Sequence, residues 1–434
     1  MKKFLLVEPC LALYSFAVIL TYILVQQYVY QRLWKEMNNA TVHESDNSSL
    51  CNQNTSDPSY IKQQEVQKRT SLFYMYLELT GLIPSLVVTL IIVAYSDHRG
   101  RKITILLPLL GALLTSVIYF CVSYFSLDLN AFFAVYLING FLGGLATFLG
   151  GCFAYVADLC NDPKQKNMRM ALVDMIFGLL GGIASLTSGY FVNAVGFSWP
   201  FLIASLLHFI NIIYVIFFLE ETVHVEESQQ MASSLEYIKD LFSGVFLMFK
   251  TSAFNKRLLI ILMLIAFMTY NFANVGGASL FTLYELNTPL CWNTVLIGYG
   301  SALSTLVFVT SFLGVALLSH FMRNIYIVLI GMCSSIGGLI CTAFAKTTLV
   351  MFLVRLPSLL SIMPLPVLRS MMSRIVLPSE QGALFACVAC LESLSTTVSL
   401  AVFNSIYAST VLWFSGFSFI LAAAICLIPF CIIW

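Results

Sequence analysis

One carboxylate, Asp174, interrupts the apolar stretch RMALVDMIFGLLGG at residues 169–182. Three more ionisable residues have equally apolar neighbours: Glu78 in YLELTG, Arg355 in FLVRLPSLL and Glu392 in CLESL. Charged side chains inside a bilayer are costly, and those that occur line pathways, relay protons or pair with one another. A low-dielectric setting disfavours a charged carboxylate, which suits a group that takes up and releases a proton during work. An arginine suits the complementary task, because its planar fork grips a carboxylate or sulfate with two parallel hydrogen bonds. The chain has no H-E-x-x-H, nucleophile elbow, phosphate-binding P-loop or Cys/His group with metal-ligand spacing. No enzyme, no metal centre and no cofactor is therefore expected.

These residues need elements to place them, and the composition says which. The 434 residues are 59% hydrophobic and 10% charged, too little charge for a soluble surface. Apolar runs recur along the whole chain, each near the ~20 residues that carry a helix across hydrocarbon. Continuous runs exclude a barrel of alternating strands. A polytopic, all-α membrane protein is expected, with twelve spans at 4–30, 71–95, 103–125, 131–157, 170–192, 199–219, 257–283, 294–319, 325–345, 348–372, 381–407 and 412–434. The first run is too long for a signal-peptide core and lacks a small-residue cleavage site, so it reads as a mature helix. The polar segment 220–256 divides the spans into six and six, giving an N-terminal half at 1–219, a linker at 220–256 and a C-terminal half at 257–434. Within the linker, 233–250 reads either as an amphipathic surface helix or as a simple connector. A net charge of +1 gives no argument for nucleic acid. The expected partners are lipid, protons and a small molecule, with the chain a monomer.

Lys and Arg concentrate on the side of the N-terminus, including Lys2, Lys3, Arg99, Arg101, Lys102, Lys164 and Lys166. The opposite side carries Arg32, Lys35, Lys62, Lys68, Arg69 and Lys346. By the positive-inside rule both termini are expected in the cytosol. The sequons at Asn39, Asn47 and Asn54 all fall in the first polar loop, 34–69, on the face assigned to the lumen or exterior. Of 12 cysteines, Cys51 and Cys291 fall in exposed segments on that oxidising side, one in each half. A disulfide between them is expected.

Asp162-Pro163 reads as a helix start, with a capping side chain followed by proline at the first helical position. Asp174 then lies roughly 16 Å into that helix. Either it carries the coupling proton or it makes a static hydrogen bond to a neighbouring helix. Glu392 stands near the midplane of span eleven and Arg355 about 10 Å from the luminal end of span ten. They either pair, or Arg355 holds a substrate anion while Glu392 modulates it, or Arg355 snorkels to the interface. Glu78 serves either as a proton entry or as an interfacial hydrogen-bond partner. Pro357, Pro364 and Pro366 should break or bend span ten, a mark of candidate gate helices.

After span two the chain reads YSDHRGRK at 95–102. It resembles the major-facilitator signature G-x-x-x-D-[RK]-x-G-R-[RK], with Asp97, Gly100, Arg101 and Lys102 in place, Val93 for the first glycine and His98 for the usual base. The physics expected of it is a latch: a carboxylate caps a facing helix N-terminus while Arg101 pairs with Asp158. The plain alternative is positive-inside charge alone. RMALVD (169–174), LYELNTPLCWN (283–293), IGYGSA (297–302) and SEQGALFACVACLESL (379–394) resemble solute carrier family 46 over essentially the whole chain, with detail around Arg355 and Glu392 most like the family's lysosomal member.

That resemblance implies a twelve-helix major facilitator fold and proton-driven movement of an organic anion into the cytosol. For the lysosomal member it implies bulky amphipathic anions and conjugates: steroid conjugates, muropeptides and catabolites of antibody–drug conjugates. Folates and antifolates at the plasma membrane, or a sensor that binds without transport, are the alternatives. Asp174 matches the family's fifth-helix coupling carboxylate, and Arg369 an arginine tied to proton and substrate binding; positive-inside charge explains Arg369 and Arg374 equally well. The folate member's histidine in span seven is absent, and Asn271 and Asn274 supply polarity there. Lysosomal placement is expected from the resemblance alone, since the sequence ends with span twelve.

Overall fold

The structure, a computed structural model, describes residues 7–38, 58–160, 162–222, 254–286, 290, 292, 294–377, 380–411 and 413–434. Asn39, Asn47, Asn54, Cys51, Cys291 and most of the 220–256 linker lie outside the described residues.

Among the described residues, ten helices are long and apolar enough to cross a membrane. The first half comprises Glu8–Asn38, Pro58–Arg99, Lys102–Phe125, the pair Ala131–Phe141 and Gly144–Leu159, Pro163–Val195 and Ser198–Phe217. The second comprises Phe254–Ser279 with Phe281–Leu286, Thr294–Phe321, Asn324–Ala343, the broken span ten (Thr348–Leu353 and Pro364–Ser373), Gln381–Thr410 and the shorter Phe417–Ile433. Span two exceeds its expected bounds, because residues 58–70, expected in a loop, are helical. Its opening, PSYIKQQEVQKR, has proline at the first position and then mostly good helix formers, so the helix continues past the apolar run. Span four breaks where Gly143 takes φ 90°, a conformation that disfavours any side chain. Span five starts at Pro163, with the Asp162 side chain accepting from the Gln165 N–H at 3.3 Å.

The halves meet chiefly through spans two and eleven, five and eight, and four and eleven. Small residues permit this approach: a Cβ on Gly178 would run into the Phe308 ring, and one on Gly182 into Thr305. Spans three and six turn apolar side chains such as Leu110, Leu114, Leu206 and Phe209 outward, as a lipid-facing surface requires.

Span ten shows how a broken helix is kept satisfied. Between its two α-helical parts, residues 354–363 form tight turns in which the N–H groups of 355, 356, 358, 359, 361 and 363 donate to carbonyls three residues back. Pro357 has no N–H. Val354 N donates to Val350 O at 2.9 Å, and the last two donors go to side chains: Leu360 N to Ser334 Oγ at 3.1 Å and Ile362 N to Ser311 Oγ at 3.3 Å. Carbonyls freed from α-helical bonding accept from neighbouring spans as well. Pro357 O accepts from Ser334 Oγ at 2.5 Å, Leu359 O from Thr310 Oγ1 at 2.7 Å, and Ser361 O from Tyr270 Oη and from Asn274 Nδ2 at 3.2 Å. Buried backbone groups need partners, and spans seven, eight and nine supply them here.

Candidate functional site: a guanidinium between two carboxylates

Arg369 reaches from span ten into the contact between the halves. Its Nη1 donates to Asp174 Oδ2 at 2.8 Å and Oδ1 at 3.0 Å, and its Nη2 to both Glu392 oxygens at 2.7 Å. Asp174 belongs to the first half, Arg369 and Glu392 to the second. Phe153 and Phe267 lie near the guanidinium, ring centroids 4.2 and 5.1 Å from its central carbon. The arginine side chain is 1% exposed, Asp174 18% and Glu392 27%, so the carboxylates are the solvent-reachable members. Arg369 Nε is buried and has no hydrogen-bond partner among the described residues. Positive-inside placement does not describe this residue, which is turned inward rather than toward an aqueous face.

The Arg355–Glu392 pair, one of the three alternatives for these residues, does not form. Arg355 sits at the start of the tight stretch of span ten and donates from Nη2 to Glu285 Oε1 at 2.7 Å and from Nη1 to Met351 O at 3.2 Å. Its central carbon lies 4.6 Å from the Phe281 ring centroid, and the side chains of the pair are 5% and 2% exposed. The arginine therefore offers no exposed donor to an anion, and it is folded in rather than snorkelling. Asn271 and Asn274, expected at a substrate site, use their amides internally. Asn271 Nδ2 donates to Ser395 Oγ at 2.7 Å, tying span seven to eleven, and Asn274 to the Ser361 carbonyl. Glu78 lies on an exposed stretch of span two near the phenols of Tyr22, Tyr74, Tyr119 and Tyr136. Among the described residues no ion pair joins it to Asp174, Arg369 or Glu392.

A second assembly closes one face of the bundle, the face of residues 97–102. Asp97 caps the start of span eleven, accepting from Gly382 N at 2.7 Å and Ala383 N at 3.1 Å across the halves. Arg101 pairs with Asp97 at 2.6 Å and Asp158 at 2.8 Å. Gly100 has φ 110°, and a Cβ there would lie 2.5 Å from Glu221 Oε2. Glu221 accepts from Arg101 N at 2.5 Å and Lys102 N at 3.2 Å, placing a carboxylate at the N-terminus of span three. On the other side of the same face Lys166 Nζ donates to Ser373 Oγ at 3.0 Å and Arg374 to Pro163 O at 2.8 Å, again across the halves.

Sequence reasoning missed Glu285 and Glu221. Glu285 lies in a stretch whose polar neighbours make it read as loop, and Glu221 looks like the first residue of a charged linker; only the fold brings each to its arginine. Arg169 is another such case: its sequence context reads as a cytosolic charge, yet it pairs with Glu8 at 2.5 Å, both buried.

The fold and this inter-half site define a transporter class, and comparison with known proteins agrees. The Major Facilitator Superfamily profile matches residues 70–365. The chain belongs to that superfamily and, within it, to solute carrier family 46. It is 57% identical to a chicken protein named "Lysosomal proton-coupled steroid conjugate and bile acid symporter SLC46A3", over 99% of this chain and 93% of that one. It is 45% identical to the human protein of the same name, over 98% and 93%. A rat protein named "Proton-coupled folate transporter" is 33% identical over 98% and 90%. Among solved structures, the human organic anion transporter MFSD10 (TETRAN) superposes with a TM-score of 0.76 at 16% identity, covering 99% of both chains. The E. coli fucose:proton symporter FucP gives 0.70 at 12% identity, over 100% and 98%. At these identities the structures speak for the fold alone.

Proposed function

We propose that this protein is a proton-coupled symporter that moves bulky amphipathic organic anions from the lysosomal lumen to the cytosol. Steroid conjugates and bile-acid-like anions are the first substrates to consider, in keeping with the names of the chicken and human relatives. Muropeptides and drug-conjugate catabolites share their chemistry of an anionic group on a large body. The observation that carries the reading is Arg369, held bidentately by a carboxylate from each half.

The charge count explains why a proton must travel with the anion. Arg369, Asp174 and Glu392 together carry −1 when all are ionised. An anion that takes an edge of the guanidinium must displace a carboxylate, and a displaced, ionised carboxylate in this setting is costly. Protonation of Asp174 removes that cost. Arg369 is then released on one edge, its partnerless Nε points to a further contact, and the anion completes the fork. The same proton weakens the central tie between the halves, since Asp174 and Arg369 belong to different ones. Rocking of the halves then exposes the site to the other side. Once there, loss of the proton restores the Asp174–Arg369 pair and ejects the anion.

The latch fits the same cycle. With Asp97 on span eleven and Arg374 on span five, the proposed cytosolic face is closed, which is the arrangement that receives substrate from the lumen. Glu78, on the luminal side in this orientation, is assigned to proton entry. Both termini, the 220–256 linker and the latch are assigned to the cytosol, and the 34–69 segment, with its sequons and Cys51, to the lumen. Folate is the second candidate substrate, favoured by the rat relative's name and disfavoured by Asn271 and Asn274, whose amides are already engaged. Uptake of a steroid sulfate by cells displaying the protein at their surface, at external pH 5.5 and 7.5, tests the reading. Acid-stimulated, saturable uptake is expected; saturable binding without uptake at either pH would make the protein a sensor instead.

A further inference from the structure

Arg369 lies in the helix Pro364–Ser373, which follows directly on the tightly turned stretch 354–363 of span ten. Six N–H groups within residues 354–363 of span ten donate to carbonyls three residues back, and such a stretch within a helix is a common site of hinge motion. Relative to α-helix, each residue in this conformation adds about 0.5 Å of length and about 20° of rotation. Conversion of only three residues would shift the remainder of span ten by about 1.5 Å and about 60°. A bidentate fork on two carboxylates does not survive such a displacement.

One charged group is positioned to fix this stretch. Arg355 is its second residue, and Glu285, at the far end of span seven, is its ion-pair partner at 2.7 Å. The pair is closed in from several sides. Trp292 N donates to Glu285 O at 2.9 Å, the Trp292 ring stacks on Phe352 at 4.9 Å, and Trp292 Nε1 donates to Thr348 Oγ1 at 3.1 Å. Span eight approaches so closely that a Cβ on Gly300 would lie 2.8 Å from the Trp292 ring, 3.2 Å from Glu285 Oε1 and 3.5 Å from Arg355 Nη2. Both ionised groups lie within the second half and touch neither Asp174 nor Glu392. A buried pair of this kind contributes little net stability against apolar replacements but defines one geometry sharply.

We propose that Glu285 is a positioning residue for anion binding: by holding Arg355 it fixes the tight stretch of span ten, and through it the place of Arg369. The inference rests on Arg369 being the anion's partner. It gives Arg355 a role in setting the site rather than in touching substrate, and it makes Ser311 and Ser334, which take the two spare N–H groups, part of the same device.

Equilibrium binding of a radiolabelled steroid sulfate to the purified full-length chain at pH 5.5 tests it, since binding is readable whether or not transport occurs. Glu285→Gln should weaken binding at least tenfold, and the exchange Glu285→Arg with Arg355→Glu should recover it to within about threefold of the unaltered chain. Ser311→Ala with Ser334→Ala should weaken binding in the same direction. Should Glu285→Gln fail to fold, Glu285→Asp, which keeps the charge and draws it back by one methylene, is expected to weaken binding by a smaller factor. Tighter binding in Glu285→Gln would overturn the inference, because it would mean that Arg355, once freed, receives the anion directly. Unchanged binding in Glu285→Gln, while Arg369→Gln abolishes it, would overturn the positioning role and leave the anion site intact. Unchanged binding in Arg369→Gln would instead remove the anion site itself, and the inference with it.

Discussion

Arg369 Nη1 lies 2.8 Å from Asp174 Oδ2, joining residues 195 apart in sequence and on opposite halves of the bundle. Few contacts within a transporter could be better placed to report on both a proton and a conformation. The pair ties the two halves together, and in the proposed cycle it is also the site of the proton and half of the anion receptor.

Asp174→Asn keeps the shape of the side chain and removes its charge. Arg369 retains Glu392, so the fold should persist. Uptake at pH 5.5 should fall at least tenfold, and the ratio of uptake at pH 5.5 to that at pH 7.5 should drop toward one. In the proposed cycle protonation of Asp174 permits loading, so wild-type uptake rises as pH falls, and an amide that cannot titrate removes the dependence. Tracer uptake at the two pH values, corrected for surface amount, checks it.

Arg369→Lys preserves the charge but cannot grip two carboxylates with paired hydrogen bonds. Transport should be lost to background. Arg369→Gln leaves two carboxylates facing one another and should cost about 3 kcal/mol of stability, toward the lower end for breaking a buried pair because Asp174 and Glu392 are partly exposed. Adding Asp174→Asn to Arg369→Gln should restore part of that loss, since contacting residues are not additive. Thermal melting of the purified variants reads this out.

Gly100→Ala puts a side chain on a residue with φ 110° and into the carboxylate of Glu221. A cost of about 1–3 kcal/mol is expected from the backbone alone, together with loss of the Glu221 cap on span three. Asp97→Asn removes the charge that pairs with buried Arg101 and turns an amide toward the backbone donors of span eleven, so a cost of about 1–3 kcal/mol and a loosened latch are expected. Labelling of Cys387, partly exposed on span eleven, by a thiol reagent supplied from the cytosolic side should then be faster than in the unaltered protein.

Gly182→Val places a branched side chain where span five meets Thr305 of span eight. The halves should be held apart there, lowering the maximal uptake rate with little change in the apparent substrate constant. Saturation kinetics of uptake distinguish the two.

The spans were legible because a bilayer demands long apolar helices and little else imitates them. The latch was legible because its residues lie close together in sequence, apart from Asp158 and the start of span eleven. Asp174 stood out as a carboxylate among apolar residues. Arg369 was singled out by the family resemblance alone: its place at the cytosolic end of span ten suits positive-inside charge equally well, and nothing local says that its side chain turns inward to Asp174. Arg355 was the mirror case: conspicuous in sequence, yet paired with Glu285, whose neighbours look like loop. Depth along two helices made Arg355 and Glu392 look matched. Depth alone does not fix which faces of those helices meet, and the tightly turned stretch 354–363 around Pro357 shifts the phase of the helix that follows it.

Proton movement coupled to anion movement can be followed directly, with the purified chain in liposomes that enclose a pH-sensitive dye. Adding a steroid sulfate outside, with no imposed proton gradient and the membrane potential clamped, should acidify the interior. Asp174→Asn should abolish that signal while Asp97→Asn reduces only its rate. Entry of the labelled steroid sulfate with no accompanying acidification would contradict proton coupling through Asp174 and Arg369.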